Sequence, residues 1–317
     1  MADLSRHLLH IGYPKTGSTF LQEWFKRHPQ LCYVPGALGG FRSVYEIARP
    51  ARKSYEYYVT SCEALSMANK SLGDFMVSFG KVRMPVRIDW MEEWLTKNPD
   101  RIKKDQAEAC TILKTLYPGS RVIIVTRGFK ESIISLYSSY VRTGGSQHLN
   151  RLCREAADCL TQYFDYDHLI QLYGNAFGES NLTILPYELL RDDQQKFLSI
   201  LENKLSLEPV DIKLGRLNPS LLPAELYWYP AISRVVAAAG RRLGTAQSQR
   251  IYLWYVSKTL ENRLRPLIRI LERWRPDRRT TEADFPVEIL SNFKGKATRL
   301  KDDPLYVSYA AEYLWDS

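Results

Sequence analysis

Short apolar runs alternate along this chain with longer stretches in which apolar residues recur every three or four positions. The first pattern predicts strands buried on both faces, and the second predicts amphipathic helices. Residues 8–11, 75–79, 121–126 and 182–186 read as strands. The third is the clearest, because β-branched residues fill it and the turn signal Pro118-Gly119 precedes it. Helical patterns cover 18–27, 90–116 (as one or two helices), 129–142, 149–173 and 194–205. After about residue 215 the strand signal fades, and 221–275 is mostly helical with breaks at Gly240 and Gly244. Strands alternating with helices predict an α/β fold. The expected fold is a P-loop-like central parallel sheet with helices on both faces and a helical C-terminal third. With no low-complexity linker and no internal repeat, residues 1–317 are expected to form one domain, 1–215 as α/β core and 216–317 as its helical completion.

Composition changes this picture little. Apolar residues make up 45% and charged residues 25% of the 317, which suits a globular protein with a large core. The formal charge of +9 favours an anionic partner, whether nucleotide, sulfated or phosphorylated substrate, nucleic acid or membrane face. No nucleic-acid-binding signature is present, so no nucleic-acid partner is expected. The five cysteines are irregularly spaced with no C-x-x-C pair, which argues against a zinc or redox motif and fits reduced thiols. No signal-peptide pattern opens the chain, and no run of about 18 apolar residues follows, so a cytoplasmic protein without a transmembrane helix is expected.

Chemistry concentrates after the first strand. Gly12-Tyr13-Pro14-Lys15-Thr16-Gly17-Ser18-Thr19 joins a strand to a helix, the arrangement in which backbone N–H groups and the helix dipole bind phosphate. Gly12 and Gly17 have the spacing of G-x-x-x-x-G-K-[ST], but Ser18 stands where that motif has lysine. The lysine is Lys15, two residues before the glycine. A magnesium-dependent phosphotransferase also needs an acid near the end of a later strand, whereas the best such strand ends Thr126-Arg127. The expectation is a phosphate-bearing ligand held without a metal.

Tyr13 to Gln22 resembles the 5'-phosphosulfate-binding loop of the sulfotransferase family, most of all in its bacterial branch. Arg127 with Ser135 eight residues later resembles the family's second motif, and Tyr187-Glu188-Leu189-Leu190 its Y-E-x-L element. The resemblance covers residues 8–190 and implies a sulfotransferase. Its donor would be 3'-phosphoadenosine-5'-phosphosulfate (PAPS), and its nucleotide product the 3',5'-bisphosphate (PAP). It implies that Lys15 stabilises charge on the bridging oxygen, while Tyr13, Pro14, Thr16, Gly17, Ser18 and Thr19 belong to the loop that holds the 5'-phosphate. Arg127 and Ser135 would bind the 3'-phosphate. Phe20 would stack on adenine or serve as core, and Tyr187 would touch adenine or be structural. Lys294-Gly295-Lys296 is similar to the family's basic loop over the 3'-phosphate.

The base that should take the acceptor's proton is not evident. The family's glutamate has no counterpart in Pro35-Gly36-Ala37-Leu38, nor its K-x-H-x-P histidine in Lys81-Val82-Arg83-Met84-Pro85, nor its Ser-Ser-Glu in Ser78-Phe79-Gly80. His10 and Glu46 are possible bases, each with a plain structural alternative, and Lys81 could assist as a charge near the transferred group. Seven arginines between Arg263 and Arg279 read as a solvated helix face, or as a surface for an anionic acceptor or membrane. Tyr33, Tyr55, Tyr57, Tyr58, Tyr227, Trp228 and Tyr229 could line an acceptor site or fill the core. The acceptor is expected to be a carbohydrate or small-molecule hydroxyl. A P-loop kinase and a non-catalytic nucleotide-binding relative are the alternatives.

Overall fold

The structure is a computed structural model that describes residues 7–33, 55–61, 99–212, 214, 221–243 and 245–315. Among these described residues the centre is a five-stranded, all-parallel sheet in the order β2-β3-β1-β4-β5. The strands are β1 (His7–His10), β2 (Leu31–Cys32), β3 (Tyr57–Ser61), β4 (Arg121–Thr126) and β5 (Leu182–Pro186). The next two strands after β1 lie on one side of it and the last two on the other. In such sheets the point beyond the carboxyl end of β1, where the strand order reverses, is the usual ligand position.

Successive strand residues face opposite cores, so nearly all are buried. Leu8, Val59, Ile123, Val125 and Leu185 meet α1 (Ser18–Arg27) and, further along the chain, Leu189, Leu190, Phe197 and Leu201. Leu9, Val122 and Ile124 face the opposite side. There they meet α2 (Pro99–Leu116), α3 (Phe129–Arg142), α4 (Leu149–Glu155), α5 (Ala157–Tyr163) and α6 (Tyr166–Phe177). Leu221, Ala224, Tyr229, Phe285, Phe293, Tyr306 and Tyr313 join this second core, which ties the C-terminal third to the sheet.

Two histidines sit inside that apolar frame and need partners. His7 Nε2 lies 2.9 Å from Thr60 Oγ1, and His10 Nδ1 lies 2.7 Å from Ser61 Oγ. Both hydroxyls belong to β3, so polar pairs fasten β1 to its neighbour as well as the backbone ladder.

The expected strands at 121–126 and 182–186 are present, as are the helices at 18–27, 129–142 and 194–205. The first strand starts one residue earlier than expected and ends at His10, although Ile11 N still donates to Ile123 O at 3.1 Å. The stretch 149–173 is three helices instead of one. It breaks at Ala156 and again at Asp165, whose side chain caps α6 by accepting from His168 N at 3.1 Å. Strands β2 and β3 escaped the sequence reading. The strand expected at 75–79 and positions 90–98 lie outside the described residues.

Beyond β5 come α7 (Tyr187–Asp192) and α8 (Gln194–Leu205), then α9 (Pro223–Arg241), α10 (Thr245–Leu260) and α11 (Arg265–Trp274). Pro223 opens α9, where its missing N–H costs nothing. The fully buried Glu225 accepts from Leu222 N at 2.8 Å and pairs with Arg265 at 2.9 Å, locking α11 onto α9. After Trp274 the chain continues in short 3-10 turns up to Tyr313. No helix among the described residues is long and apolar enough to cross a membrane.

Candidate active site

The loop after β1 carries two left-handed residues within three positions, Lys15 (φ 68°) and Gly17 (φ 85°). For Gly17 this conformation is cheap. For Lys15 it costs about 1–2 kcal/mol, so surrounding structure must hold it. Two contacts do so. Thr16 Oγ1 donates to Tyr13 O at 2.6 Å, and Arg127 NH1 donates to the Lys15 carbonyl at 3.0 Å.

Gly17 is the N-cap of α1 and has no side chain to cap with, nor does any acid lie in the first turn. A helix start leaves its first N–H groups in need of an acceptor, and its dipole favours an anion there. Ser18 Oγ is buried with no hydrogen-bond partner among the described residues, a second donor in want of an acceptor. Thr19 is exposed beside it. A β-carbon on Gly17 would stand 2.4 Å from Leu190 Cδ2 and 3.5 Å from the Tyr187 ring, so α7 walls the loop closely. These features fit a phosphate-bearing ligand.

Beneath the loop lies a sealed layer. Tyr13 is fully buried and packs edge-on against Tyr163 and Tyr166, with burial pushing its phenol well above the usual range. His10 is also fully buried. A β-carbon on Gly12 would be 2.7 Å from His10 Nε2, so only glycine lets the loop cross the imidazole. Gln22 extends the His10–Ser61 pair by donating to Ser61 Oγ at 3.3 Å. Burial lowers the His10 pKa to about 4 and that of His7 to about 3, so both rings are neutral at pH 7.

The second half of the site is the corner where β4 runs into α3. Arg127 is clasped on several sides. Its Nε and NH2 donate to Glu131 Oε2 at 3.2 and 2.9 Å, and its guanidinium lies 4.5 Å from the Tyr187 ring centre. Arg191 reaches Glu131 Oε1 at 3.3 Å, so one carboxylate bridges two guanidinium groups. Tyr166 and Ser132 donate to the Arg127 carbonyl.

Behind Arg127, Glu188 accepts from Gly128 N at 2.9 Å and from Tyr313 OH at 3.1 Å. Burial raises its pKa to about 7, with the Glu312 charge adding to the effect and those two hydrogen bonds opposing it. Glu131, Glu188 and Glu312 together bring three carboxylates within 4.8 Å of one another. Their neighbouring cations are Arg127, paired with Glu131, and Arg191, which reaches both Glu131 and Glu312.

The structure therefore brings the loop of Pro14, Lys15, Thr16, Gly17, Ser18 and Thr19 beside Arg127 and Tyr187, with Tyr13 buried beneath it. Phe20 is only 7% exposed and sits in the core with Leu21 and Trp24, where the structural alternative placed it. Ser135 is half-buried on α3, one turn beyond Glu131. Lys296 pairs with Asp165 at 2.9 Å, and Lys294 is exposed nearby. Burial alone would raise the Asp165 carboxyl, yet Lys103, Lys296 and the His168 amide together hold it below its ordinary value. His10 faces the underside of Gly12 and has no open side. Lys81 and Glu46 lie outside the described residues. Sequence reading missed Glu131 and Arg191; their i+4 spacing from Arg127 and Tyr187 was the available signal.

The sequence matches the family model described as "Sulfotransferase family" over residues 8–211, more than half of the chain. No curated protein matches it. Among solved structures, a crystal structure of a sulfotransferase from Alicyclobacillus acidocaldarius is similar at 14% identity, with 71% of this chain and 91% of that one covered and a TM-score of 0.38. The matched span takes in the phosphate loop, the Arg127 corner and the Tyr187 helix, and on that match the chain belongs to the sulfotransferase family.

Proposed function

We propose that the chain transfers a sulfuryl group from PAPS to a hydroxyl of a carbohydrate or small-molecule acceptor. The observation that carries this reading is the bond from Arg127 to the Lys15 carbonyl. It joins the loop suited to a 5'-phosphate to an arginine suited to a second phosphate, and a donor with phosphates at both ends of its ribose needs that pairing. Arginine's planar fork matches a phosphate bidentately.

On this reading the N-terminus of α1, with Ser18 and Thr19, holds the 5'-phosphate. Lys15 supplies positive charge where the leaving oxygen becomes negative, since sulfuryl transfer, like phosphoryl transfer, depends chiefly on positioning and charge. Arg127 and Ser135 receive the 3'-phosphate, for which Glu131 must yield the guanidinium. Tyr187, already under Arg127, offers a face to adenine. Lys294 and Lys296 lie on the segment that would close over the 3'-phosphate. His10 supports the loop from below, the general base is left to Glu46 or the acceptor's own acidity, and Lys81 would assist as a charge near the transferred group. Cytoplasmic residence accords with four described cysteines that form no disulfide.

Calorimetry separates this reading from its alternatives. The 3',5'-bisphosphate should bind without metal, and Lys15→Ala should abolish sulfuryl transfer in an acceptor screen with labelled donor. Tight magnesium-dependent ATP binding without bisphosphate binding would establish a phosphotransferase instead. Bisphosphate binding with no transfer to any acceptor class would indicate a non-catalytic relative.

A further inference from the structure

Helix α11 has more apolar surface than the fold uses. Ile268 is 2% exposed and, with Leu264 and Leu271, packs on the core that includes α9. On the adjoining stripe, Leu267, Ile270 and Trp274 are 44%, 51% and 78% exposed. Their i, i+3, i+7 spacing places them in one line along the helix. The apolar arc thus runs unbroken from Ile268 and Leu271 round to Ile270, and only its inner half is covered.

Beside the bare stripe runs a row of positive charge. Arg269 and Arg273 are one turn apart on the exposed surface, and Arg275 follows at the helix end. Among the described residues none of the three enters an ion pair, whereas the acids of this segment are taken: Glu261 by Arg263, Glu272 by Arg279 and Asp277 by Arg278. Between residues 261 and 279 seven arginines face three acids. An apolar stripe ending in tryptophan, bordered by unpaired arginines, is the pattern of a helix lying in the plane of an anionic lipid surface.

We propose that α11 docks this protein peripherally on an anionic lipid bilayer. Leu267, Ile270 and Trp274 enter the headgroup–acyl boundary, and Arg269, Arg273 and Arg275 meet lipid phosphates. The segment continues from Trp274 to Glu282, which pairs with Lys130 at 2.8 Å in the first turn of α3.

Vesicle flotation of the full chain tests this without reference to any catalytic reading. The protein should float with phosphatidylcholine–phosphatidylglycerol vesicles at low salt, should not float with phosphatidylcholine alone, and should release as salt rises. The double variant Arg269→Glu/Arg273→Glu should weaken partitioning at least about thirtyfold. Ile270→Ser should weaken it severalfold, and Trp274→Phe should remove the fluorescence blue shift on binding. All these side chains are exposed, so unchanged thermal unfolding separates docking from misfolding. Equal flotation with neutral and anionic vesicles, or flotation indifferent to the arginine and Ile270 variants, would overturn the proposal. So would concentration-dependent dimerisation abolished by Ile270→Ser without vesicle binding, which would make a second copy the occupant.

Discussion

Acidification from pH 7 to pH 5 should destabilise this protein, and two deeply buried histidines and one buried glutamate set the part of that change that substitution can dissect, while burial also lowers His28, His148 and His168 and adds to the loss. The ordinary imidazole value is 6.5, and burial holds His7 near 3 and His10 near 4 in the native state. Between pH 6.5 and 5 the unfolded chain binds protons at both positions and the native chain at neither, so stability falls as pH falls. At about 1.4 kcal/mol per pH unit the loss is about 2 kcal/mol for each histidine, or about 4 together. Glu188 acts in the opposite sense. Its pKa rises from 4.5 to about 7 on folding, so its contribution is complete below the unfolded value and is lost as pH rises through 7. Moving from pH 7 to 5 restores about 2 kcal/mol of it, leaving a loss of about 2 from these three groups.

Denaturant unfolding followed by tryptophan fluorescence at the two pH values measures the difference. Two substitutions dissect it. His10→Asn keeps a polar atom opposite Ser61 Oγ but cannot titrate, so its pH 7-to-5 change should be about 2 kcal/mol smaller in loss than the parent's. Glu188→Gln can still accept from Gly128 N and removes the compensating contribution, so its loss should exceed the parent's by about 2 kcal/mol. Because the readout is a difference between pH values, any constant cost of either substitution drops out. A parent equally stable at both values, with neither variant altering the slope, would refute the burial argument for all three groups.

Gly17→Ala should cost about 1–2 kcal/mol through its left-handed φ alone, and more from the 2.4 Å approach to Leu190 Cδ2. Calorimetric melting should show Leu190→Ala relieving the second part of that penalty and not the first; full recovery would mean that the backbone is unstrained. Arg127→Lys removes the fork to Glu131 and the bond to the Lys15 carbonyl, and should weaken 3',5'-bisphosphate binding roughly 10- to 100-fold by titration calorimetry. Unaltered affinity would detach Arg127 from the donor site.

What the sequence revealed followed from how local each signal is. The loop from Gly12 to Thr19 was legible because its glycines, lysine and hydroxyls are contiguous, and α1 because Phe20, Leu21, Trp24 and Phe25 repeat at helical spacing. Strand β3 was missed because Tyr57 to Ser61 mixes aromatic, apolar and hydroxyl residues. It pairs with β1 through Thr60 and Ser61, and no periodicity within five residues encodes that long-range choice. The breaks at Ala156 and Asp165 were invisible because the apolar repeat runs through them. The Glu131 bridge was hidden for another reason. Four residues separate Glu131 from Arg127 and sixty from Arg191, so the second contact exists only once β5 lies beside β4.

That bridge also explains how an arginine stays ready in a corner crowded with acids. A lone guanidinium on a flexible chain would lose rotamer freedom on meeting a phosphate. Arg127 is already extended over Tyr187 and fixed to the Lys15 carbonyl, so that loss occurs on folding instead. Glu131 fills the guanidinium fork and lies in the first turn of α3, where the helix dipole favours its charge. A phosphate entering the fork displaces a carboxylate that still has Arg191 to hold it. Glu188 keeps the crowding tolerable, because its raised pKa leaves it largely protonated below neutral pH. Above pH 7 its charge returns 2.9 Å from Gly128 N, next to the arginine, and competes with any anion there. The ligand's own phosphates gain charge over the same range, so the readout is the difference between parent and variant. On the proposed reading, bisphosphate affinity in the parent should fall from pH 6 to 8 relative to Glu188→Gln, and identical pH profiles for the two would separate the glutamate from the anion site.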